Sequence, residues 1–468
     1  VRNYMIGDRV EHPQFGSGQI VAEYRNGTEW LVRFESGFRF RRPRHEFESD
    51  GSPAEAKTPD LGMLFQPPDP MPPDRLQARQ LIESLRMGIA PAQHVAELTV
   101  DLRKERDSVI HGLNQAHQQG GAVRAVIGEY GFGKSHLVEL TAQEALARDF
   151  LVATVSLDLL ELPPHRAFDI YREAMQHIRY PDTDERGLSP LLTKTTNPGR
   201  VVTQLAEISP AGLDPLVIGL QAIANTTSSR QRKAWMYWLM GGRRVKTMNK
   251  GLPRGVKFPS IYKVGHNARQ IAYLFTGVSV LARLAGYSGV CLLVDEAESY
   301  SLLRPYQRPK ADLFFRAIIY AALRQQQARI SADEFPQHRW RNYPMAYDEG
   351  QSLFFLFTVT RSDNRLALTD WLPEEAIFNL EPGAEPQEMG QFLQRILTYH
   401  AQAYGYEPGE RQGQVRRGAA EHLAQGLRHG RLSMRSVVRL AVELFDLLYL
   451  YPDYDVATLL EELHTQIQ

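Results

Sequence analysis

Gly128-Glu129-Tyr130-Gly131-Phe132-Gly133-Lys134-Ser135 is the stretch on which the fold of this chain turns. It fits the pattern G-x-x-x-x-G-K-S/T in full, and its surroundings agree: Ala122 to Ile127 reads as an apolar strand and His136 to Arg148 as a helix. Glycines let the backbone wrap so that successive N–H groups and the helix N-terminus face phosphate oxygens, which side chains at those positions would obstruct. Lys134 supplies a compact positive charge, and the Ser135 hydroxyl suits Mg²⁺, a hard cation that takes few protein ligands. The expected nucleotide contacts are therefore Gly128, Glu129, Tyr130, Gly131, Phe132, Gly133, Lys134, Ser135 and His136.

Such a loop needs an acidic partner. Val290-Cys291-Leu292-Leu293-Val294-Asp295-Glu296 is an apolar strand ending in two carboxylates. Asp295 is expected to hold the water shell of Mg²⁺ together with Ser135, and Glu296 to polarise the attacking water. A strand ending in two acids is common by itself; in company with a complete P-loop it points to binding and hydrolysis of ATP. Turnover assigns catalytic roles to Lys134 and Glu296.

Outward from this centre the chain divides. Residues 7–47 read as short strands broken by Gly7-Asp8, Phe15-Gly16-Ser17-Gly18, Asn26-Gly27 and Ser36-Gly37, a small all-β unit over 1–50. Residues 51–75, with Pro67-Pro68 and Pro72-Pro73, read as a linker. Leu76 to Leu85 and Val100 to His117 have helical apolar spacing and open an α/β core over 76–380, and 381–468 is helical. Lys plus Arg equals Asp plus Glu at 54 each, so overall charge argues for neither nucleic acid nor membrane. The single cysteine, Cys291, excludes an internal disulfide framework and a cysteine zinc cluster. Val1 to Met5 lacks the start of a secretory signal, and the apolar stretch 271–294 is interrupted by Arg283, so a cytoplasmic location without membrane contact is expected.

Charge is unevenly spread. From Pro215 to Val294 there is no Asp or Glu, while the basic insertion, about residues 180–285, carries Arg243, Arg244, Lys246, Lys250, Arg254 and Lys257, candidates for DNA phosphate contacts. Trp235, Tyr237 and Trp238 stand just before them, either as base-stacking platforms or as a buried aromatic cluster. Arg39, Arg41, Arg42 and Arg44 form a basic edge on the β unit, either a docking surface or a solvated strand face.

Several segments resemble known families. Gly7-Asp8-Arg9-Val10 through Gln19-Ile20-Val21 resembles the Tudor/SH3-like barrels appended to some bacterial helicases and transcription-coupling factors. Ala78-Arg79-Gln80-Leu81-Ile82-Glu83-Ser84-Leu85-Arg86-Met87-Gly88, the P-loop continued through His136-Leu137, and Tyr451-Pro452-Asp453 together resemble the P-loop ATP-binding proteins of BREX-type phage-defence clusters, whose core is similar to the origin-recognition branch of AAA+ ATPases. The resemblance implies an α/β fold with an AAA+-like three-layer core, a C-terminal helical lid and, as an addition, the small N-terminal all-β barrel. It implies a polar residue near the γ-phosphate at the end of strand 353–358, with Thr360 first and Thr358 second, and a catalytic lid arginine at Arg435, with Arg439 one turn on as the alternative. It implies antiviral defence, acting on DNA or on a helicase or nuclease partner. Residues 366–376 contain no arginine, so a trans-acting finger within a homo-oligomer is left open. A nucleotide-gated scaffold with little turnover is the alternative.

Overall fold

The computed structural model describes residues 4–12, 16–24, 27–34, 39–47, 71–89, 91–196, 199–210, 214–242, 267–300, 302–323, 329–336, 344–360, 367–381 and 383–467. They form two compact units, Val1–Met71 and Pro72–Gln468.

In the first unit, β1 (Arg9–His12), β2 (Gly16–Tyr24), β3 (Glu29–Phe34) and β4 (Arg39–Pro43) pair antiparallel in chain order. Alternation along β3 turns Trp30, Val32 and Phe34 onto a small core with Val10, Ile20 and Phe47. A bulge between Ile20 and Ala22 shifts the β2–β3 register. The four strands form an antiparallel sheet, and among the described residues no ladder joins β1 to β4. Part of the basic edge is engaged locally: Arg41 pairs with Glu29 at 2.5 Å and lies 4.5 Å from the Tyr24 ring, and Arg44 lies 5.1 Å from the Trp30 ring.

The second unit opens with α1 (Pro73–Arg86), which starts three residues before the expected start of the core at residue 76. Pro73 does not break this helix; it occupies the first turn, where a missing N–H costs nothing. Five parallel strands follow: β5 (Gly121–Ile127), β6 (Phe150–Ser156), β7 (Gly289–Asp295), β8 (Leu353–Val359) and β9 (Ile377–Asn379). Their order is β6-β7-β8-β5-β9. Helices cover both faces, which explains why these strands read as continuous apolar runs. Val126, Cys291, Leu293 and Phe354 pack with α2 (Arg103–Gln119) and α3 (Lys134–Leu146). Val123, Leu292, Phe355 and Phe357 face α4 (Ala167–Gln176), α9 (Asn267–Leu284) and α10 (Arg308–Leu323). The expected three-layer α/β core is present.

Between β6 and β7 the insertion contributes α5 (Ser189–Thr196), α6 (Gly199–Ile208), α7 (Pro215–Asn225), α8 (Ser229–Leu239) and α9. The apolar stretch from 271 onward resolves into a buried helix and a central strand, and among the described residues no helix is long and apolar enough to cross a membrane. Trp235 and Trp238 are buried, edge-on at 5.5 Å, so they pack the core and cannot serve as base platforms; Tyr237 beside them is exposed. Arg269 and Arg283 donate to the carbonyls of Ala332 and His117, whereas Arg230, Arg232 and Lys233 lie on the exposed face of α8. Arg243, Arg244, Lys246, Lys250, Arg254 and Lys257 lie outside the described residues.

After the short helix α11 (Leu368–Trp371), the C-terminal helices α12 (Pro386–Tyr404), α13 (Glu410–Arg428), α14 (Met434–Leu450) and α15 (Val456–Ile467) enclose a second core, and α1 shares it through Ala78, Leu81, Ile82 and Leu85. A helix placed by sequence with the sheet domain therefore packs with the lid.

One buried carboxylate organises the insertion. Asp214 caps α7 by accepting from Leu216 N at 2.7 Å and Val217 N at 3.3 Å, and it accepts from the hydroxyls of Ser209, Tyr273 and Tyr347. Burial, then the Asp214 charge, pushes both tyrosine pKa values up, keeping the phenols as donors. Asp214→Ala removes the cap and strands these hydroxyls, so it should destabilise the unit by about 3 kcal/mol. Asp214→Asn, which keeps the cap, should cost less. Urea unfolding followed by tryptophan fluorescence measures both.

Candidate functional site

The P-loop is tied down at its start: Gly128 N donates to Val359 O at 3.0 Å, and Leu380 N donates to Ile127 O at 2.6 Å. Gly131 and Gly133 have φ of +82° and +93°, which only glycine adopts freely, and Gly133 leads directly into α3. Lys134 curls back under the loop. Its ammonium, on a residue only 7% exposed, donates to Gly128 O at 3.0 Å, Glu129 O at 3.3 Å and Thr360 Oγ1 at 3.2 Å. Ser135, in the first turn of α3, is exposed.

The two acids stand at the carboxyl end of β7. The Thr358 hydroxyl, on the parallel neighbour β8, donates to Asp295 Oδ1 at 2.5 Å and accepts from Glu296 N at 3.2 Å; that N–H also reaches Asp295 Oδ1 at 3.0 Å. Glu296 sits at φ +57°, a left-handed conformation that costs about 1 kcal/mol or more in a residue with a Cβ. Its carboxylate accepts from Ser156 Oγ at 3.0 Å. Thr358 and Thr360 are thus neighbours of different groups, the first of Asp295 and the second of Lys134. Ser156 was not among the expected site residues: a serine ending a strand has no distinguishing pattern, and only the parallel register of β6 and β7 sets it beside Asp295.

Helix α14 closes the site from the lid. Ser433 caps it, accepting from Ser436 N at 3.1 Å. Arg435 Nη1 donates to the Tyr130 hydroxyl, and its guanidinium carbon lies 5.0 Å from the Tyr130 ring centre. Arg439 is exposed and does not line the cavity. Close approach depends on two glycines. A Cβ on Gly131 would fall 2.9 Å from Ser433 Cβ, and one on Gly88, at φ +76°, would fall 2.4 Å from Arg435 Cγ.

These elements surround a cavity of about 260 Å³. Lys134, Ser135, His136, Asp295, Glu296 and Arg435 bring polar groups to its lining, together with Tyr130 to Gly133, and Leu85, Ile89, Val95, Leu98, Val100, Phe392, Met434 and Val438 bring apolar ones. Phosphates suit the first and a flat heterocyclic base the second. The apolar wall was invisible in the sequence because its residues come from α1, the segment before α2, α12 and α14, which meet only in the fold. Arg361 and Arg365 lie outside the described residues.

Residues 74–197 match the family model described as BREX system ATP-binding protein BrxC/D. The likeness to that family extends over this segment. The matched segment contains α1, β5, the P-loop, α3 and β6, and ends before β7 and the lid. No curated protein matches the chain.

His136, at the end of the P-loop stretch, lines the cavity. Burial lowers the His136 pKa to about 4. Thr99 Oγ1 donates to Val95 O at 2.7 Å and lies 2.9 Å from His136 Nε2, so the neutral imidazole donates from Nε2 to the threonine. Unfolded, the same ring takes a proton near pH 6.5. Stability linked to His136 is therefore complete above pH 6.5 and is lost as pH falls toward 4, where the unfolded chain binds a proton the folded one does not. His136→Gln, which retains a donor to Thr99, should flatten the fall in thermal midpoint between pH 6.5 and 4; an unaltered slope would show that the ring is not held neutral.

Proposed function

We propose that the chain hydrolyses ATP at this cavity and uses the cycle to act on DNA or on a helicase or nuclease partner in antiviral defence. The observation that carries the proposal is the convergence of Lys134, Asp295, Glu296 and Arg435 on one cavity that apolar side chains also line. Lys134 and the P-loop N–H groups hold the β- and γ-phosphates, and Glu296 takes the proton of the attacking water as its oxygen bonds the γ-phosphorus and the bond to the leaving ADP oxygen breaks. Ser156 orients the Glu296 carboxylate, and Thr358 fixes Asp295 against the start of the Glu296 backbone. Thr360 and Arg435 bear on the terminal phosphate, where charge redistributes in the transition state.

The donor set fits Mg²⁺. Among the described residues no group of three or more His, Cys, Asp or Glu could hold a metal. A cation at Ser135 and Asp295 would complete its shell with phosphate oxygens and water, as Mg²⁺ does. When bound, it would neutralise charge on the β- and γ-oxygens.

For DNA, support comes from composition: the acid-free segment 215–294 holds twelve Lys or Arg residues, and Arg230, Arg232 and Lys233 are exposed on α8. The family description adds the defence system, within which a DNA-processing partner is the natural recipient of an ATP-driven change.

Two measurements test these roles. Lys134→Ala should abolish tight ATP binding, while Glu296→Gln should keep ATP and lose about 100-fold or more in steady-state phosphate release. Equal ATP affinity for wild type and Lys134→Ala would refute the phosphate assignment. Replacing Arg243, Arg244 and Lys246 with Glu should weaken binding to DNA of any sequence and flatten its dependence on log salt, with ATP affinity unchanged. If deletion of residues 1–50 removes DNA binding while the triple variant binds like wild type, the contact lies in the N-terminal unit instead.

A further inference from the structure

Tyr130 occupies a P-loop position where the pattern accepts any residue, yet it is 70% exposed, and burial does not account for a large aromatic there. Its ring and hydroxyl are both used by one partner. Arg435 donates to the hydroxyl and lies within cation–π distance of the ring. Arg435 itself sits in the first turn of α14, pressed against Gly88 and close behind the Ser433 cap that approaches Gly131. An arginine on a lid helix has four side-chain torsions, and without an anchor its guanidinium would sample many positions around the cavity mouth.

We infer that Tyr130 is a positioning residue for Arg435: the P-loop carries its own anchor for the lid arginine, so the loop that binds phosphates also aims the cation that senses the terminal one. The guanidinium has five donors, and the contact with Tyr130 uses one of them, on Nη1. A planar fork steadied at one nitrogen and on one face keeps a fixed plane while presenting its other edge to an oxyanion. The inference rests on the proposed role of Arg435 at the γ-phosphate. It adds that discrimination between ATP and ADP depends on a P-loop side chain that need not touch nucleotide.

The test uses the full chain with Mg²⁺ and compares affinity for the β,γ-imido analogue of ATP with affinity for ADP, so that no turnover is required. Wild type, Tyr130→Phe, Tyr130→Leu, Arg435→Ala and the double variant Tyr130→Phe/Arg435→Ala are compared. Tyr130→Phe, which keeps the ring and loses the hydroxyl, should lower affinity for the triphosphate analogue about 5-fold more than affinity for ADP. Tyr130→Leu should lower it further. In the Arg435→Ala background Tyr130→Phe should have no additional effect, because its influence passes through the guanidinium. Multiplying losses in the double variant, or equal loss of ADP and analogue affinity, would overturn the inference by making Tyr130 a direct contact or a general support of the loop. If Arg435→Ala lowers the preference and neither Tyr130 variant does, the inference fails and the role of Arg435 stands. If Arg435→Ala leaves the preference unchanged, the role of Arg435 fails and the inference with it.

Discussion

A buried ammonium sets the terms for the rest of the site. Lys134 carries a charge whose removal from water costs several kcal/mol, and the protein must return that energy through oriented dipoles. It does so with the carbonyls of Gly128 and Glu129 and the hydroxyl of Thr360. Turning those carbonyls inward requires a loop that doubles back over its own lysine, which is the reason for left-handed glycines at 131 and 133. Delivering Thr360 requires that β8 run parallel to β5 and end beside it, so the strand order of the sheet is part of the same requirement. Phosphate oxygens offer the lysine a stronger partner than any of these neutral groups, so the loop is arranged to exchange them for an anion.

The acids obey a related constraint. A carboxylate at a strand end faces water and is free to swing unless something holds it, and here the holder is a threonine one strand away. The same hydroxyl accepts the N–H of Glu296, whose left-handed backbone would otherwise be an unsupported strain. Asp295 and Glu296 are adjacent in sequence but supported from opposite neighbours, Thr358 on β8 and Ser156 on β6. The two carboxylates are thereby held apart, one against β8 and the other against β6.

Sequence reading succeeded where chemistry is local. The loop Gly128 to Ser135 and the strand end at Asp295 and Glu296 were legible as local structure because their glycines and apolar runs have fixed spacing, and the strands around them because parallel strands buried on both faces are uninterrupted apolar runs. It failed where partners are distant. Val95, Phe392 and Met434 look like ordinary core residues until α1, α12 and α14 meet. Trp235 and Trp238 sit near a basic stretch, but their spacing on α8 puts both toward α7 and the core. Pro73 falls in the proline-rich stretch that reads as a linker, yet in the first turn of α1 it favours helix. The position of α1 is the largest surprise, since nothing in its own sequence says that it will pack with helices three hundred residues later.

That packing changes how the cavity should be understood. One wall belongs to the sheet core and the other to a separate hydrophobic core made of α1 and the lid helices. Two solid bodies, each close-packed within itself, deform less easily than the seam between them. A ligand that fills the seam touches both, so its binding energy acts on their relation. The seam is held at Gly131 against Ser433, at Gly88 against Arg435, and at Tyr130 through the guanidinium. Each of these contacts lies within a few residues of a phosphate-binding or cation-bearing position. On the proposed reading, a change in charge at the terminal phosphate would be felt first at the join between the two cores, which is where a nucleotide must act if its chemistry is to move anything else.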